Sequence, residues 1–331
     1  MNRLSTPLTD WLHQVLADDP ETLTVKPLAA EASFRSFYRI STTRAAGRSE
    51  TWILMDSPPD KEHNDQFCHL ARVFADAGLP VPEVLESNRG SGWFLMSDLG
   101  DRDLETAYQQ GQQDAAVNAA ITALVQLQQV RDPAITPYTE QRFADELEIF
   151  SQWFLDGLLN QLLPIALQSS FDALIDRTGQ QPQCCVHRDY HCRNLLFSDD
   201  GKLGIVDFQD ALIGPAAYDL ASLLHDCYHQ FPESVVSAGC AQYLAIRKTS
   251  DGQDYNADRF RQDLDFCAVQ RQLKAIGIFA RLAQRDDKTS HLRYISPLLA
   301  RLTRLCDAYP ELATLGEFLA ELSDRESVWQ N

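Results

Sequence analysis

The pattern of hydrophobic and polar positions predicts a small sheet in the first hundred residues. Apolar residues within 8–16 recur at helical spacing and predict an N-terminal amphipathic helix. Segments rich in β-branched and aromatic residues then predict antiparallel strands at 22–28, 34–41, 51–55, 83–86 and 93–97. Residues 61–77 have apolar positions near helical spacing, and Gly78 follows as a helix stop. We therefore expect one antiparallel sheet with one main helix.

After about Leu104 the hydrophobic spacing becomes helical over long stretches, such as 115–130 and 141–155. A short strand-rich segment interrupts these helices, at 184–186, 195–197 and 203–206, with a hairpin turn at 198–201. Together the patterns predict an α+β fold with two domains. The first, 1–100, is the small antiparallel sheet with its helix, and the second, 101–331, is larger and mostly helical.

The composition excludes some classes of partner. Asp and Glu number 47 against 29 Lys and Arg in 331 residues, and the resulting net charge of -18 argues against nucleic acid or an anionic membrane surface. No run approaches the ~18 apolar residues of a membrane span, and the N-terminal pattern is not that of a signal peptide. We therefore expect a cytoplasmic protein with no nucleic-acid and no membrane partner, and a monomer by default.

The eight cysteines are scattered without a Cys-x-x-Cys pair and predict reduced, mostly buried thiols. Cys184, Cys185, His191 and Cys192 are too crowded for a structural zinc site, which usually takes four ligands in two spaced pairs. We expect His191 to contact a substrate or magnesium, or to pack within its loop.

Two carboxylates and a carboxamide around the strand-rich segment have the spacing that phosphoryl transfer requires. Asn194 lies five residues after Asp189, and Asp207 follows the third short strand. The reaction needs a carboxylate to orient or deprotonate the attacking hydroxyl, and oxygen ligands to hold magnesium against the phosphates. We therefore predict Asp189 as the catalytic carboxylate and Asn194 and Asp207 as magnesium ligands. The alternative is that the two aspartates only cap turns.

Two further residues are predicted to orient the loop that carries Asp189. His187 precedes Asp189 by two residues, so both side chains could face the same side of an extended segment. Asp219 begins a predicted helix, where an acidic side chain favours the N-terminus. Asp219 could cap that helix, accept hydrogen bonds from the loop backbone, or do both.

The motif His187-x-Asp189-x-x-x-x-Asn194, followed by Asp207 and by Tyr218-Asp219-Leu220, resembles the aminoglycoside phosphotransferase-like family of small-molecule kinases. These kinases are relatives of the protein kinases. The resemblance implies a two-lobed protein-kinase-like fold that uses ATP and Mg²⁺. It also implies a nucleotide-binding lobe at 1–100 and a catalytic and substrate-binding lobe at 101–331.

Within that family, segments 32–39, 54–59, 187–194 and 273–282 are similar to bacterial amino-sugar kinases of cell-wall (peptidoglycan) recycling. The resemblance implies ATP-dependent phosphorylation of the anomeric (C1) hydroxyl of N-acetylmuramate or N-acetylglucosamine. Two alternatives stay open. One is a phosphotransferase for aminoglycosides or other small alcohols, and the other is a nucleotide-binding pseudokinase.

The resemblance implies that the first β-turn-β element closes over the nucleotide phosphates. Ser33, Phe34 and Arg35 would lie there, and hydroxyl, backbone N–H and guanidinium groups suit phosphate oxygens. An ordinary hairpin is the alternative, because no Gly-rich signature is present. The chain also departs from the kinase pattern, since the predicted third strand has no Lys to hold the phosphates. Arg35, Arg39 and Lys61 are the candidates to replace it.

The resemblance implies that the fifth predicted strand leads into the hinge whose backbone receives adenine. Met96, Asp98 and Leu99 are then candidate nucleotide contacts, with simple core packing as the alternative for the two apolar side chains.

The acceptor site has no fixed motif. Candidates are residues close in sequence to the catalytic groups, namely Tyr190, Arg193, Gln209 and Asp210. Arg193 would suit a carboxylate on the acceptor, because Arg pairs with carboxylates through two hydrogen bonds. An internal salt bridge is the alternative for Arg193.

Overall fold

The structure is a computed structural model that describes residues 4–16, 23–28, 34–43, 49–252 and 255–329. Its contacts divide the chain into two compact units. The first unit is Met1–Arg102 with Leu196–Gln209, and the second is Asp103–Leu195 with Asp210–Asn331. None of the helices in the described ranges is long and apolar enough to cross a membrane.

A five-stranded antiparallel sheet forms the first unit, in the order β1-β2-β3-β5-β4. The strands are β1 (Leu23–Leu28), β2 (Ser36–Thr43), β3 (Ser49–Asp56), β4 (Val84–Asn88) and β5 (Trp93–Ser97). Helix α1 (Thr6–Leu16) buries Leu8 and Leu12 in a core with Ile40, Leu54 and Leu95. The five strands predicted from the pattern are therefore confirmed.

The main helix of the first unit, α2 (Asn64–Asp76), buries Phe67, Leu70 and Phe74. It begins three residues later than the spacing predicts. Phe208 packs against this helix, stacked on Phe67 with ring centroids 5.5 Å apart and edge-on to Phe74 at 5.6 Å. The short strands β7 (Leu195–Phe197) and β8 (Leu203–Ile205) pair with each other just before Phe208. Residues near 208 are thus anchored to the first unit by aromatic packing.

The second unit is mostly helical. Its described α-helices are α3 (Leu104–Gln109), α4 (Gln113–Leu127), α5 (Glu140–Ile149), α6 (Gln168–Gly179), α7 (Tyr218–Leu224), α8 (Glu233–Asp251), α9 (Ala257–Asp286), α10 (Ile295–Cys306) and α11 (Ala313–Ser323). Side chains of Asp103, Thr139 and Asn256 cap α3, α5 and α9 by accepting a backbone N–H of the first turn. An antiparallel pair, β6 (Gln183–Val186) and β9 (Leu212–Pro215), completes the unit. Strand β9 is not among the strands predicted from the sequence.

The long helix α9 lies at the centre of the second unit and is buried along most of its length. Its neighbour differs from the prediction of one α-helix at 141–155, because the α-helix ends at Ile149 and a π-helix follows at Phe150–Leu158. At Gly277 the backbone of α9 lies against the backbone of Ile149 and Phe150, and an added Cβ would sit only 2.5 Å from the Ile149 carbonyl. Gln284 then donates to the carbonyl of Trp153 at 2.9 Å. The change of helix type thus coincides with a close approach of the α9 backbone at Gly277.

The predicted state of the cysteines agrees with the structure. All eight thiols are free, and seven of them are buried, with Cys68 half-buried.

Candidate active site

The loop between β6 and β7 carries most of the predicted chemistry, and a buried carboxylate holds its first residues. Asp219, at the start of α7, accepts the backbone N–H of His187 at 2.6 Å and that of Arg188 at 2.9 Å. Burial raises the pKa of Asp219, and the charge of His187 together with the two N–H groups opposes that rise. Arg188 has a positive φ of 79°, so the loop turns sharply where Asp219 holds it.

A second buried carboxylate holds the far end of the same loop. Asp226 accepts the backbone N–H of Cys192 at 2.7 Å and that of Tyr228 at 2.8 Å. Arg301 on α10 donates to the backbone carbonyl of Asp226 at 2.8 Å. Asp226 is not among the residues predicted from the sequence. It lies just beyond the end of α7, so no helical periodicity marks it, and its only sequence signal is a second acidic residue seven positions after Asp219.

Asp189 lies between these two attachments and reaches solvent. Its side chain is 42% exposed, and Nη2 of Arg271 lies 3.7 Å from its Oδ1. The carboxamide of Asn194 donates to the backbone carbonyl of Asp189 at 3.0 Å, which ties the two predicted residues together. Desolvation on its own would raise the pKa of Asp189, but the charges of Lys274 and Arg271 outweigh it and lower the pKa. Asp189 is therefore a carboxylate at neutral pH.

Behind the loop lies a buried ionic network that the sequence analysis did not predict. Glu146 on α5 accepts Nη2 of Arg188 at 2.7 Å and Nζ of Lys274 at 3.0 Å, and it also accepts the hydroxyl of Tyr138. Burial alone would raise the pKa of Glu146, but Lys274 and Arg188 lower it to about 2. The network joins the side chain of the loop residue Arg188 to α5 and α9.

Two candidate acceptor residues in the loop are used inside the protein. Tyr190 is completely buried, and its hydroxyl donates to the carbonyl of Ala120 at 2.8 Å, so it is a core side chain. The guanidinium of Arg193 lies 3.7 Å from the ring centroid of Tyr228 and donates to the hydroxyl of Tyr294 at 2.8 Å. Glu105 lies 3.7 Å from Nε of Arg193. These contacts match the internal alternative for Arg193 more closely than a role in acceptor binding.

His187 and His191 are aromatic neighbours of this loop. His187 is completely buried and lies edge-on to Tyr190, with centroids 5.7 Å apart. His191 lies edge-on to Tyr228 at 5.2 Å. The structure therefore packs both imidazoles against tyrosine rings.

The second predicted magnesium ligand, Asp207, belongs to the first unit. It is exposed, has a positive φ of 65°, and its Oδ1 accepts Nε2 of Gln209 at 2.7 Å. The carbonyl of Gln209 in turn accepts Nε2 of Gln66 on α2 at 3.2 Å. The exposed residue Asp210 belongs to the second unit, where its carbonyl accepts Nη1 of Arg188 at 3.4 Å.

The donor set fits magnesium better than a transition metal. Across residues 4–16, 23–28, 34–43, 49–252 and 255–329, no group of three or more His, Cys, Asp and Glu side chains could hold a metal ion. Magnesium needs less, since it prefers oxygen ligands, keeps several waters and takes the rest from substrate phosphates. Asn194, in the second unit, and Asp207, in the first, each carry a side-chain oxygen of this kind, and their role as magnesium ligands stays a prediction.

The predicted phosphate-contacting element is described only in part, since Ser33 lies outside the described residues. Phe34 is 63% exposed, and its backbone N–H donates to Oε1 of Glu62 at 3.2 Å. Lys61 lies over the ring of Phe34, with Nζ 4.7 Å from the centroid. Arg35 is buried and pairs with Oε2 of Glu62 at 3.3 Å. A cation and its carboxylate partner therefore lie at the start of β2.

Arg39 is engaged at the other end of the sheet. Its guanidinium donates two hydrogen bonds to the carboxylate of Asp98, of 2.7 Å and 2.9 Å, and a third to the carbonyl of Gly100 at 2.7 Å. The charge of Arg39 and the N–H of Gly100 outweigh desolvation and lower the pKa of Asp98. A ligand at this position would thus meet the backbone near Asp98 rather than its carboxylate.

The two apolar hinge candidates are packed side chains. Met96 is buried opposite Ile53 in the sheet. Leu99 lies against Gly204 of β8, where an added Cβ would be 3.1 Å from the leucine side chain. Both side chains therefore contribute to packing, and their contact with a nucleotide stays a prediction.

A cavity of about 680 Å³ lies elsewhere in the second unit, between α5, the π-helix and α6. Its lining includes Glu148, Gln152 and Phe171, and it contains none of the predicted site residues. None of the residues predicted to carry chemistry therefore lines this cavity.

Comparison with known proteins gives the family. The model of the phosphotransferase enzyme family matches residues 24–260. The N-acetylmuramate/N-acetylglucosamine kinase of Pseudomonas aeruginosa is 34% identical over 303 residues, which cover 89% of this chain and 88% of that protein. The protein of the same name from Neisseria meningitidis is 34% identical over 331 residues, covering 97% of this chain and 96% of the relative.

Among solved structures, choline kinase from Cryptosporidium parvum is similar in fold. The two chains align with a TM-score of 0.66 at 10% identity, over 95% of this chain and 99% of the other. The α+β, kinase-like fold predicted from the motifs is confirmed, and so is the resemblance to small-molecule kinases.

Proposed function

We propose that this chain, which belongs to the phosphotransferase enzyme family, transfers the γ-phosphoryl group of ATP to the anomeric (C1) hydroxyl of N-acetylmuramate or N-acetylglucosamine. The observation that carries the proposal is the 34% identity, over nearly the full length of both chains, to two kinases named for these sugars. The loop around Asp189 also carries the motif that resembles amino-sugar kinases. The reaction would serve the reuse of peptidoglycan amino sugars. The enzyme would act in the cytoplasm as a monomer.

Asp189 orients the attacking hydroxyl in this proposal. Its exposed carboxylate is reachable, whereas the loop on both sides of it is held by Asp219 and Asp226. The lowered pKa of Asp189 makes it a weak base. An anomeric hydroxyl is more acidic than an ordinary alcohol, so orienting it contributes more than removing its proton early.

Asn194 and Asp207 provide oxygen ligands for magnesium. An ion held by these two side chains would supply positive charge that offsets the charge of the nucleotide phosphates. The hydrogen bond from the Asn194 amide to the Asp189 carbonyl fixes which way that amide faces. The turn at Asp207 is fixed by the aromatic packing of Phe208.

Residues 1–100 form the nucleotide-binding lobe in this proposal, and Arg35 replaces the missing strand-three Lys. Arg39 is the weaker candidate, because Asp98 and Gly100 already take its guanidinium. Arg35 is buried beside Glu62 near the start of β2, so it has the carboxylate partner that a phosphate-holding cation needs to stay in place. The backbone near Asp98 and Leu99 then receives adenine, and the exposed Phe34 lies over the phosphates. Ser33, outside the described residues, stays a predicted phosphate contact.

The test is a product assay with magnesium, ATP and each sugar, followed by phosphorus NMR to locate the new phosphate. We expect a sugar 1-phosphate and equal amounts of ADP. Asp189→Asn and Asp207→Asn should both abolish turnover. The first removes the carboxylate that accepts a hydrogen bond from the attacking hydroxyl, and the second removes a magnesium ligand. The matched control is Asp200→Asn. Asp200 is an exposed turn residue whose described side-chain contacts are with its neighbours Ser198 and Lys202.

The other outcomes separate the alternatives. Phosphorylation of aminoglycosides or choline-like alcohols but not of the two amino sugars would replace the acceptor assignment. Nucleotide binding without ADP formation on any acceptor would favour the pseudokinase. A phosphate at a position other than C1 would overturn the regiochemistry while leaving the amino-sugar assignment in place.

A further inference from the structure

Helix α9 presents two cations to the catalytic loop, one turn apart. Lys274 pairs with Glu146 at 3.0 Å, and Glu146 also holds the loop residue Arg188. Arg271, three residues before Lys274, lies 3.7 Å from Asp189. Residues three apart on a helix face the same side, so this face of α9 follows the loop from Arg188 to Asp189.

Arg271 and Asp189 differ sharply in exposure. The Arg271 side chain is 5% exposed and the Asp189 side chain 42%. An acceptor in solution could therefore reach Asp189 while Arg271 stays covered. Any effect of Arg271 on phosphoryl transfer has to pass through the Asp189 carboxylate.

The surroundings of Arg271 make Asp189 its principal anionic neighbour. Nε and Nη1 of Arg271 are buried and have no nitrogen or oxygen acceptor in the described part of the chain, and its other close partner is the thiol of Cys227, which is neutral because burial raises its pKa. The carboxylate of Asp226 acts on Arg271 less strongly than that of Asp189. A buried guanidinium without compensation is costly, so its charge favours an arrangement in which a carboxylate stays close. The one described ion pair of Arg271 joins its Nη2 to Oδ1 of Asp189. Oδ1 of Asp189 thus faces the guanidinium, and Oδ2 is the oxygen left to accept a hydrogen bond from the substrate hydroxyl.

We propose that Arg271 is a positioning residue for phosphoryl transfer, holding the Asp189 carboxylate in the orientation that receives the acceptor hydroxyl. This inference rests on the proposed function for the role of Asp189, but it does not depend on which hydroxyl is the acceptor. Arg271 contacts neither substrate in this account. Its removal therefore acts on the chemical step and not on the binding of ATP.

A double-mutant cycle tests the proposal with Arg271→Met, Asp189→Asn and the double variant. Arg271→Met should lower kcat by about 10²-fold, the typical cost of a misplaced reacting group, with little change in the KM for ATP. In the Asp189→Asn background the same substitution should have almost no further effect on residual turnover, because the group it positions is already gone. Arg271→Lys keeps the charge and should recover part of the lost kcat.

The control for losing a large, partly covered Arg is Arg247→Met in α8. Arg247 donates to Gln128 and Tyr255, away from the loop, so this variant should keep the wild-type kcat. The proposal is overturned if Arg271→Met lowers turnover by the same factor with and without Asp189. It is also overturned if Arg271→Met and Arg247→Met lose kcat equally.

Melting temperatures of the wild type, the two single variants Arg271→Met and Asp189→Asn, and the double variant test the pairing without any assay of turnover. Asp189→Asn should destabilise the wild type more than it destabilises Arg271→Met, since the buried cation loses its partner only in the first case. Additive shifts would refute the pairing. If the wild type made no ADP with any acceptor, the proposed function would fail, and the melting data would still decide whether Arg271 holds Asp189.

Discussion

Gly277 lies where α9 meets the backbone of the preceding helix pair, and its replacement by alanine tests how closely they pack. A Cβ at this position would lie 2.5 Å from the carbonyl carbon and oxygen of Ile149 and 2.6 Å from the backbone N of Phe150. Carbon atoms in contact normally stay about 3.5–4.0 Å apart. The two backbones would therefore have to separate by about 1 Å, because backbone atoms cannot rotate away as a side chain can.

Two effects of opposite sign set the size of the change. Alanine has the higher helix propensity, which favours the variant by about 1 kcal/mol. Overpacking a well-filled core costs about 1–3 kcal/mol, and a clash with backbone atoms belongs at the upper end. We expect a net destabilisation of about 2 kcal/mol. At about 2–4 °C per kcal/mol for a unit of this size, the melting temperature should fall by roughly 4–8 °C.

Thermal unfolding of Gly277→Ala and Gly179→Ala, followed by circular dichroism, separates the two effects. Gly179 ends α6, and an added Cβ there would meet its nearest atom, Oε1 of Glu140, at an ordinary 3.7 Å. This control should melt at or slightly above the wild-type temperature. A Gly277→Ala protein that melted as high as the control would refute the close backbone contact described for α9.

The other predictions concern the loop and the nucleotide. Glu146→Gln should destabilise the protein by about 3–5 kcal/mol in urea unfolding, because it leaves Arg188 and Lys274 buried without their anion. Since the pKa of Glu146 is lowered from 4.5 to about 2, its contribution to stability is complete above pH 4.5 and is lost as the pH falls towards 2. An equal acid sensitivity of Glu146→Gln over that range would contradict this. Asp219→Asn should cost about 1–3 kcal/mol and lower kcat, because one buried loop N–H loses its acceptor; unchanged kcat would show that the loop does not need this carboxylate. Arg35→Met should raise the KM for ATP roughly tenfold, the equivalent of one charge-assisted hydrogen bond, and leave the KM for the sugar unchanged. A normal KM for ATP would remove Arg35 from the nucleotide site.

Local patterns predicted most of the first unit because each strand carries its own signal. Residues 93–97 were predicted as a strand and form β5 with the same bounds, since three consecutive buried residues are flanked by turn residues. Helix α2 begins at Asn64 and not near 61, because residues 58–62 form turns with their own backbone hydrogen bonds. Propensity alone does not distinguish such a turn from the first turn of a helix.

The parts that could not be predicted depend on partners far apart in the sequence. The Glu146 network joins α5, the loop and α9, with Lys274 lying 128 positions from Glu146. The π-helix after Ile149 coincides with a contact to Gly277, which no pattern within 141–155 contains. The motif predicted the residue types of the catalytic loop, but it could not tell that Tyr190 points into the core.

The two carboxylates that hold the ends of the loop, Asp219 and Asp226, come from one short stretch at and just after α7. Every residue of α7 is buried. Releasing either end of the loop would mean opening this stretch, and the most buried segments of a protein open only with most of its unfolding free energy. The loop is thus ordered before any ligand arrives, unlike loops that phosphorylation must order. Heat should therefore inactivate the enzyme only as it unfolds.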